Sequence, residues 1–259
     1  MIPAAFAGLE GQLLIWALAM IRPGAAMLAA PLLGMRGLPV QVRLILALAV
    51  GIAATDRMTM ALPTMGIISL EGVVLIVGEI LAGVALGFAL QLGYAASLIA
   101  GEYIAAAMGL SFAGTADAGG AGSVPVVSSF LSVVTLLLFL AADGHLLLIG
   151  ATVESYATMP PGGVPASDVG EAIAGFASQM FAAALTIALP VGFATLLVQI
   201  AMGLLARTAP QLNLFAVGLP AALGAGLLFL ALGLPLMADA ILAALDGAAG
   251  DMMTLSGAD

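Results

Sequence analysis

Residues 66–100 read GIISLEGVVLIVGEILAGVALGFALQLGYAASLIA. The only charged residues in this run are Glu71 and Glu79. A helix that crosses a bilayer needs about 20 predominantly apolar residues to cover ~30 Å of hydrocarbon. At ~1.5 Å per residue this run exceeds that thickness. It predicts a helix that tilts, breaks or projects into water.

Five further apolar stretches flank it. The first, at about 11–33, holds Arg22-Pro23 near its centre and Pro31 near its end. The second, at about 40–54, is short and opens after Pro39. A stretch at about 125–150 contains Asp143-Gly144-His145, and one at about 176–205 contains Pro190. The last, at about 214–245, holds Pro220 and Pro235. Proline removes a helical hydrogen bond, so kinks or breaks are expected at these positions. The reading is an all-α membrane protein of about six broken or kinked helices, in a single domain over 1–259 with no linker.

Composition agrees. Of 259 residues, 63% are hydrophobic and 7% charged, and the mean hydropathy is +1.26. Soluble domains carry roughly 25% charged residues. There is no Cys, so disulfides, thiolate metal sites and Cys nucleophiles are excluded. The single His145 cannot build a His-rich metal cluster. A net charge of −9, with five Arg as the only cations, argues against nucleic-acid binding and against a polybasic membrane anchor. No basic residue precedes the first apolar run, so that run is expected to stay on the protein rather than be cleaved. Arg36, Arg43 and Arg207 lie in odd-numbered turns, which by the positive-inside rule places those turns in the cytoplasm.

No P-loop, dinucleotide fingerprint or HExxH motif is present. Ser128, Ser129, Asp143 and His145 could be imagined as a triad, but no nucleophile elbow supports it. His145 reads better as a satisfied or helix-end residue. No enzyme and no cofactor are expected. Carboxylates in apolar runs are costly, so Glu71, Glu79 and Glu102 need a partner or water. Pairing with Arg22, Arg43 or Arg207, or exposure, is favoured; a proton relay through Glu79 and Glu102 is the other reading. Gly83 and Gly87 lie four apart and allow close helix contact, favoured within this chain over a partner subunit. The segment Met108–Val124, MGLSFAGTADAGGAGSV, is Gly-rich. Irregular backbone at membrane depth is tolerated only inside protein or along a water-filled path. It is therefore either a surface loop or a plug lining a pore.

Four stretches carry a resemblance: PLLGMRGLPVQVRLILALAV at 31–50, GEILAGVALGFALQLGYAASLIAGEYIAAAMGLSFA at 78–113, FLAADGHLLLIGATVESYATMPPG at 139–162 and ARTAPQLNLFAVGLP at 206–220. Together they resemble the FliR family of flagellar biosynthesis, whose virulence-secretion counterparts are called SctT. The resemblance implies a core subunit of the type III export gate in the bacterial inner (cytoplasmic) membrane at the flagellar basal body. It implies helical hairpins within a helical hetero-oligomeric gate, with FliP-like and FliQ-like subunits, an FlhB-like protein alongside, membrane lipid around it and unfolded secreted substrates passing through.

The resemblance also tips the Gly-rich segment toward a pore plug built on Met108, Leu110, Phe112, Gly114, Gly119, Gly120 and Gly122, with Met108 and Phe112 as apolar seals. Arg36, Pro39 and Arg43, and likewise Arg207, Pro210, Gln211 and Asn213, are read as helix-turn residues. One departure from the family pattern stands before the Gly-His pair, where Asn is expected and Asp143 is found. The alternatives are the homologous injectisome gate subunit and a proton-coupled secondary transporter.

Overall fold

The computed structural model describes residues 7–35, 38–58, 67–110, 126–162, 169–208 and 214–257. The described residues are mostly helical, with no strand among them. The helices are α1 (Ala7–Ala19), α2 (Ile21–Ala29), α3 (Val40–Ala54), α4 (Leu70–Ala107), α5 (Val126–Ala141), α6 (Gly144–Thr158), α7 (Val169–Thr208) and α8 (Leu214–Ser256). Four helical segments are long and apolar enough to cross a membrane, or five if the broken pair α5–α6 counts as one. The shortfall from six is α3, whose 15 residues reach only about 22 Å. The first stretch divides at Met20 into α1 and α2, and the fourth divides at Asp143.

The last stretch departs from the sequence expectation. Pro220 and Pro235 do not break α8, which runs unbroken for 43 residues. Pro190 likewise sits inside the 40 residues of α7. In an apolar setting a freed carbonyl has no water to bond, so keeping the remaining helical bonds outweighs opening the helix. The long run at 66–100 also stays whole: α4 has 38 residues, about 57 Å. Ser69 starts it, its hydroxyl accepting the Gly72 N–H at 3.2 Å as an N-cap.

The chain divides into two compact units. One comprises Met1–Leu92, Leu140–Ala177 and Asp246–Asp259; the other comprises Gly93–Phe139 and Ser178–Leu245. In the first, α3 packs on α1, α2 and α6. Met27, Ala47 and Val50 form its buried core, with Met20, Leu33, Ile149 and Val153 against them. Helices α2 and α3 make a hairpin. Its turn holds Leu32 in the left-handed region at φ 66, which costs roughly 1–2 kcal/mol. Gly34 is pressed beneath the Leu28 and Ala30 carbonyls, 2.5 and 2.9 Å from where a Cβ would lie.

Gly83 and Gly87 bring α4 against α2. A Cβ on Gly83 would lie 2.8 Å from the Ala25 Cβ, and one on Gly87 would lie 2.9 Å from the Ala29 Cβ. The small pair therefore serves contact within this chain. In the second unit Gly101 of α4 meets α5 in the same way, beneath the Ser128 backbone, and the Ser128 hydroxyl donates to the Leu98 carbonyl at 3.1 Å. The outward side chains of α7 and α8, such as Phe181, Leu189, Phe193, Leu228 and Leu232, are apolar.

Gly87→Val should force α2 away from α4 and cost on the order of 1–3 kcal/mol or more. Gly150→Val, where nothing lies within 4 Å of the added Cβ, should be near neutral. Thermal unfolding of the two variants in detergent checks the difference; equal midpoints would show that the α2–α4 contact is not tight.

Candidate functional site

The most concentrated polar chemistry lies inside the first unit. Arg22, on the first turn of α2, is 0% exposed, as is Glu79 of α4. The guanidinium takes the carboxylate with both edges: Nε donates to Oε2 at 3.0 Å and Nη2 to Oε1 at 2.8 Å. Nη1 donates to the Ser155 hydroxyl at 2.9 Å, and Nη2 also donates to the Met159 carbonyl at 2.8 Å. The Tyr156 ring lies under the guanidinium, 4.0 Å from Cζ to the ring centroid. The planar fork of Arg suits this bidentate, stacked arrangement in a way the point charge of Lys does not.

Backbone chemistry builds the same site. Pro23 is the third residue of α2, where its missing N–H is tolerated. Four residues earlier, the Ala19 carbonyl loses its helical donor. The Tyr156 hydroxyl supplies one instead, donating to Ala19 O at 3.1 Å. Gly51 of α3 lies over the same carbonyl, with no room for a Cβ. One Arg-Pro step thus places a cation for Glu79 and frees an acceptor for Tyr156. Of the partners left open for Glu79, Arg22 is the one it meets. Both carboxylate oxygens are committed to it, an arrangement that registers three helices against one another.

The second feature is the root of the Gly-rich segment, in the other unit. Helix α4 ends in a Schellman motif: Gly109 N–H donates to Ala106 O at 3.0 Å and Leu110 N–H to Ala105 O at 2.9 Å. Gly109 takes φ 78, which only glycine adopts without strain. Gln199 of α7 donates its amide to the last helical carbonyl, Ala107 O, at 2.7 Å. Met108, expected as an apolar seal, is 0% exposed and packs its thioether over Gly226 of α8. Leu110 is half-buried. Phe112, Gly114, Gly119, Gly120 and Gly122 lie outside the described residues, as do Arg36, Pro210, Gln211 and Asn213.

The remaining expected residues are placed as follows. Arg43 of α3 reaches back to the hairpin turn and donates to the Met35 and Leu38 carbonyls. Pro39 occupies the N-cap position of α3. Arg207 is exposed in the last turn of α7, and Glu71 and Glu102 are exposed. His145 opens α6, with its Nδ1 buried and without a hydrogen-bond partner among the described residues. Asp143 sits in left-handed backbone at φ 54, and its carbonyl accepts the Leu146 and Leu147 N–H groups. Asn and Asp are the non-glycine residues that tolerate this conformation, so Asp143 satisfies what the turn requires.

Ser155, Tyr156, Gln199 and Gly226 were not singled out from sequence. The need for partners around Arg22 was visible, but nothing in the spacing of 155–159 pointed to it. No cluster of metal-ligating side chains occurs among the described residues.

Comparison with known proteins places the chain among export proteins. The family model for bacterial export proteins, family 1, matches residues 13–248. The flagellar biosynthetic protein FliR of Escherichia coli (strain K12) is 38% identical over 230 residues, which cover 88% of this chain and 86% of that protein. Its counterpart in Pectobacterium carotovorum subsp. carotovorum is 41% identical over 177 residues, 68% of each chain. That of Bacillus subtilis (strain 168) is 32% identical over 207 residues, covering 78% of this chain and 79% of that protein.

Arg22→Leu strands the buried Glu79 carboxylate and should cost about 3–5 kcal/mol. Adding Glu79→Leu removes the stranded charge and should recover much of that loss. Urea or thermal unfolding in detergent checks this, and a double variant no more stable than Arg22→Leu alone would refute the pairing as described.

Proposed function

The chain belongs to the bacterial export proteins, family 1, and is a membrane subunit of the flagellar type III protein export gate; on that premise we propose that it forms, with FliP-like and FliQ-like subunits and an FlhB-like protein alongside, the pore through which unfolded flagellar subunits are exported. The observation that carries this reading is the match over 13–248, in a chain whose helices α4, α7 and α8 reach roughly 57–65 Å. Helices about twice the hydrocarbon thickness suit a subunit that packs into a larger helical assembly.

The proposed role is mechanical, with no catalytic residue and no cofactor. The whole of 1–259 acts as one membrane domain of the bacterial inner membrane, at the flagellar basal body. A pore for unfolded chain must hold ions back when idle, and apolar constrictions do this by dewetting. The Gly-rich segment 108–124 supplies the plug: Phe112 gives it an apolar face, and Gly114, Gly119, Gly120 and Gly122 let its backbone move aside for substrate. Arg36, Pro39 and Arg43 shape one hairpin turn; Arg207, Pro210, Gln211 and Asn213 shape another. The buried Arg22–Glu79 pair registers the helices of the unit that contains the first of these turns. Glu102 faces water or a partner subunit.

Two measurements test the proposal. Co-expressed with FliP-like and FliQ-like subunits from the same genome, the chain should appear by native mass in a discrete complex with a single copy; a lone monomer or homodimer would oppose the gate. Deleting 114–122 should leave that complex assembled but raise its idle ion conductance, and a deletion as ion-tight as the parent would remove the plug.

A further inference from the structure

Helix α8 carries Gly224 and Gly226 two positions apart, yet the two glycines meet different surroundings. A Cβ on Gly224 would find nothing within 4 Å. A Cβ on Gly226 would lie 2.9 Å from both Sδ and Cε of Met108 and would collide with Cγ as well. The Met108 side chain fills the space that a side chain at 226 would take, and nothing of Met108 reaches the surface. The contact joins positions 118 apart in the chain, so it is tertiary and owes nothing to local helix geometry.

Met108 stands at a particular place. Its own N–H still donates to Ile104 O at 2.9 Å, as in a helix. The next residue, Gly109, turns the chain into left-handed backbone at φ 78, and its ideal Cβ position lies 3.6 Å from a Leu219 methyl on α8. From α7, Gln199 holds Ala107 O at 2.7 Å. The end of α4 is therefore held on two sides at consecutive residues, 107, 108 and 109, at the root of the Gly-rich segment. Met108 is the deepest of these attachments. Its flexible thioether can seat in a notch only as wide as a missing Cβ.

We infer that Gly226 is a positioning residue for the Gly-rich segment: the notch left by its absent side chain seats Met108 and sets the point at which the chain leaves α4. The inference rests on the plug reading above and adds a residue to it. Met108 serves as the fixed anchor at the root, and Gly109 turns the chain out of α4 directly after it. A side chain at 226 lifts Met108 out of its seat and shifts the origin of the segment.

The test uses the assembled complex with its partner subunits. Gly226→Ala and Gly226→Val should raise idle ion conductance in a graded way, several-fold for Val, while the amount of complex by native mass stays unchanged. Gly224→Val should do nothing. Met108→Ala combined with Gly226→Val makes room for the added methyls and should bring conductance back toward the parent. A tight Gly226→Val gate, or a leak that Met108→Ala does not relieve, overturns the inference.

The deletion of 114–122 run in parallel separates the two levels. A leaking deletion with a tight Gly226→Val gate rejects the anchor and leaves the plug standing. A tight deletion rejects the plug and the anchor with it. If Gly226→Val lowers the amount of complex, a Met108→Cys, Gly226→Cys pair carries the test, since the chain has no other Cys. Oxidation should cross-link the pair and change neither idle conductance nor export relative to the same variant kept in reductant. Failure to cross-link, or export lost on cross-linking and restored by reductant, means that Met108 is not a fixed anchor.

Discussion

A guanidinium and a carboxylate buried without access to solvent must satisfy each other or not be there at all. The Arg22–Glu79 pair meets that demand, and much of the first unit is arranged around it. Glu79 fixes the rotation of α4 about its axis, and Arg22 fixes α2. Ser155 and the Met159 carbonyl draw in the end of α6. A charge pair of this kind adds little net stability over an apolar substitute of equal shape. Its value is discriminatory: any register of α2 against α4 that separates the pair leaves two charges stranded in an apolar interior.

The same constraint governs the backbone. Each place where a helix ends or a proline interrupts its ladder releases a carbonyl or an amide that no water can satisfy. The chain answers three of these with a particular side chain. Tyr156 covers the Ala19 carbonyl freed by Pro23. Gln199 covers Ala107 O at the end of α4, where the Schellman turn at Gly109 closes the rest. The Thr158 hydroxyl covers Ser256 O at the end of α8. Small residues then allow the close approaches these bonds need, at Gly51 over Ala19 and at Gly87 over α2. In the proposed gate the subunit has to stay ordered while an unfolded chain passes. Polar groups satisfied internally, in place of water, are one means of doing so.

Outside this frame the surface is apolar along α7 and α8, and the long helices exceed what a bilayer alone would cover. In the proposed assembly, neighbouring subunits would cover what lipid does not. The buried polar chemistry around Arg22 and Glu79 therefore registers helices, and in the proposed gate the sealing role falls to the Gly-rich segment.

The sequence by itself determined the class of protein, because 7% charged residues cannot clothe a soluble body of this size. It determined most helix positions, since unbroken apolar runs leave few other choices in hydrocarbon. It showed that Glu79 needed a partner or water and that Arg22 was one of three candidate cations. It did not show that Pro220 and Pro235 lie within one helix, because the cost of a proline depends on what else its freed carbonyl can bond. Nor did it show that Ser155 and Tyr156 complete the Arg22 site, or that Gly226 rather than Gly224 receives Met108. Those are choices among side chains distant in sequence and similar in type. Only the packing of one helix on another decides which of them meet.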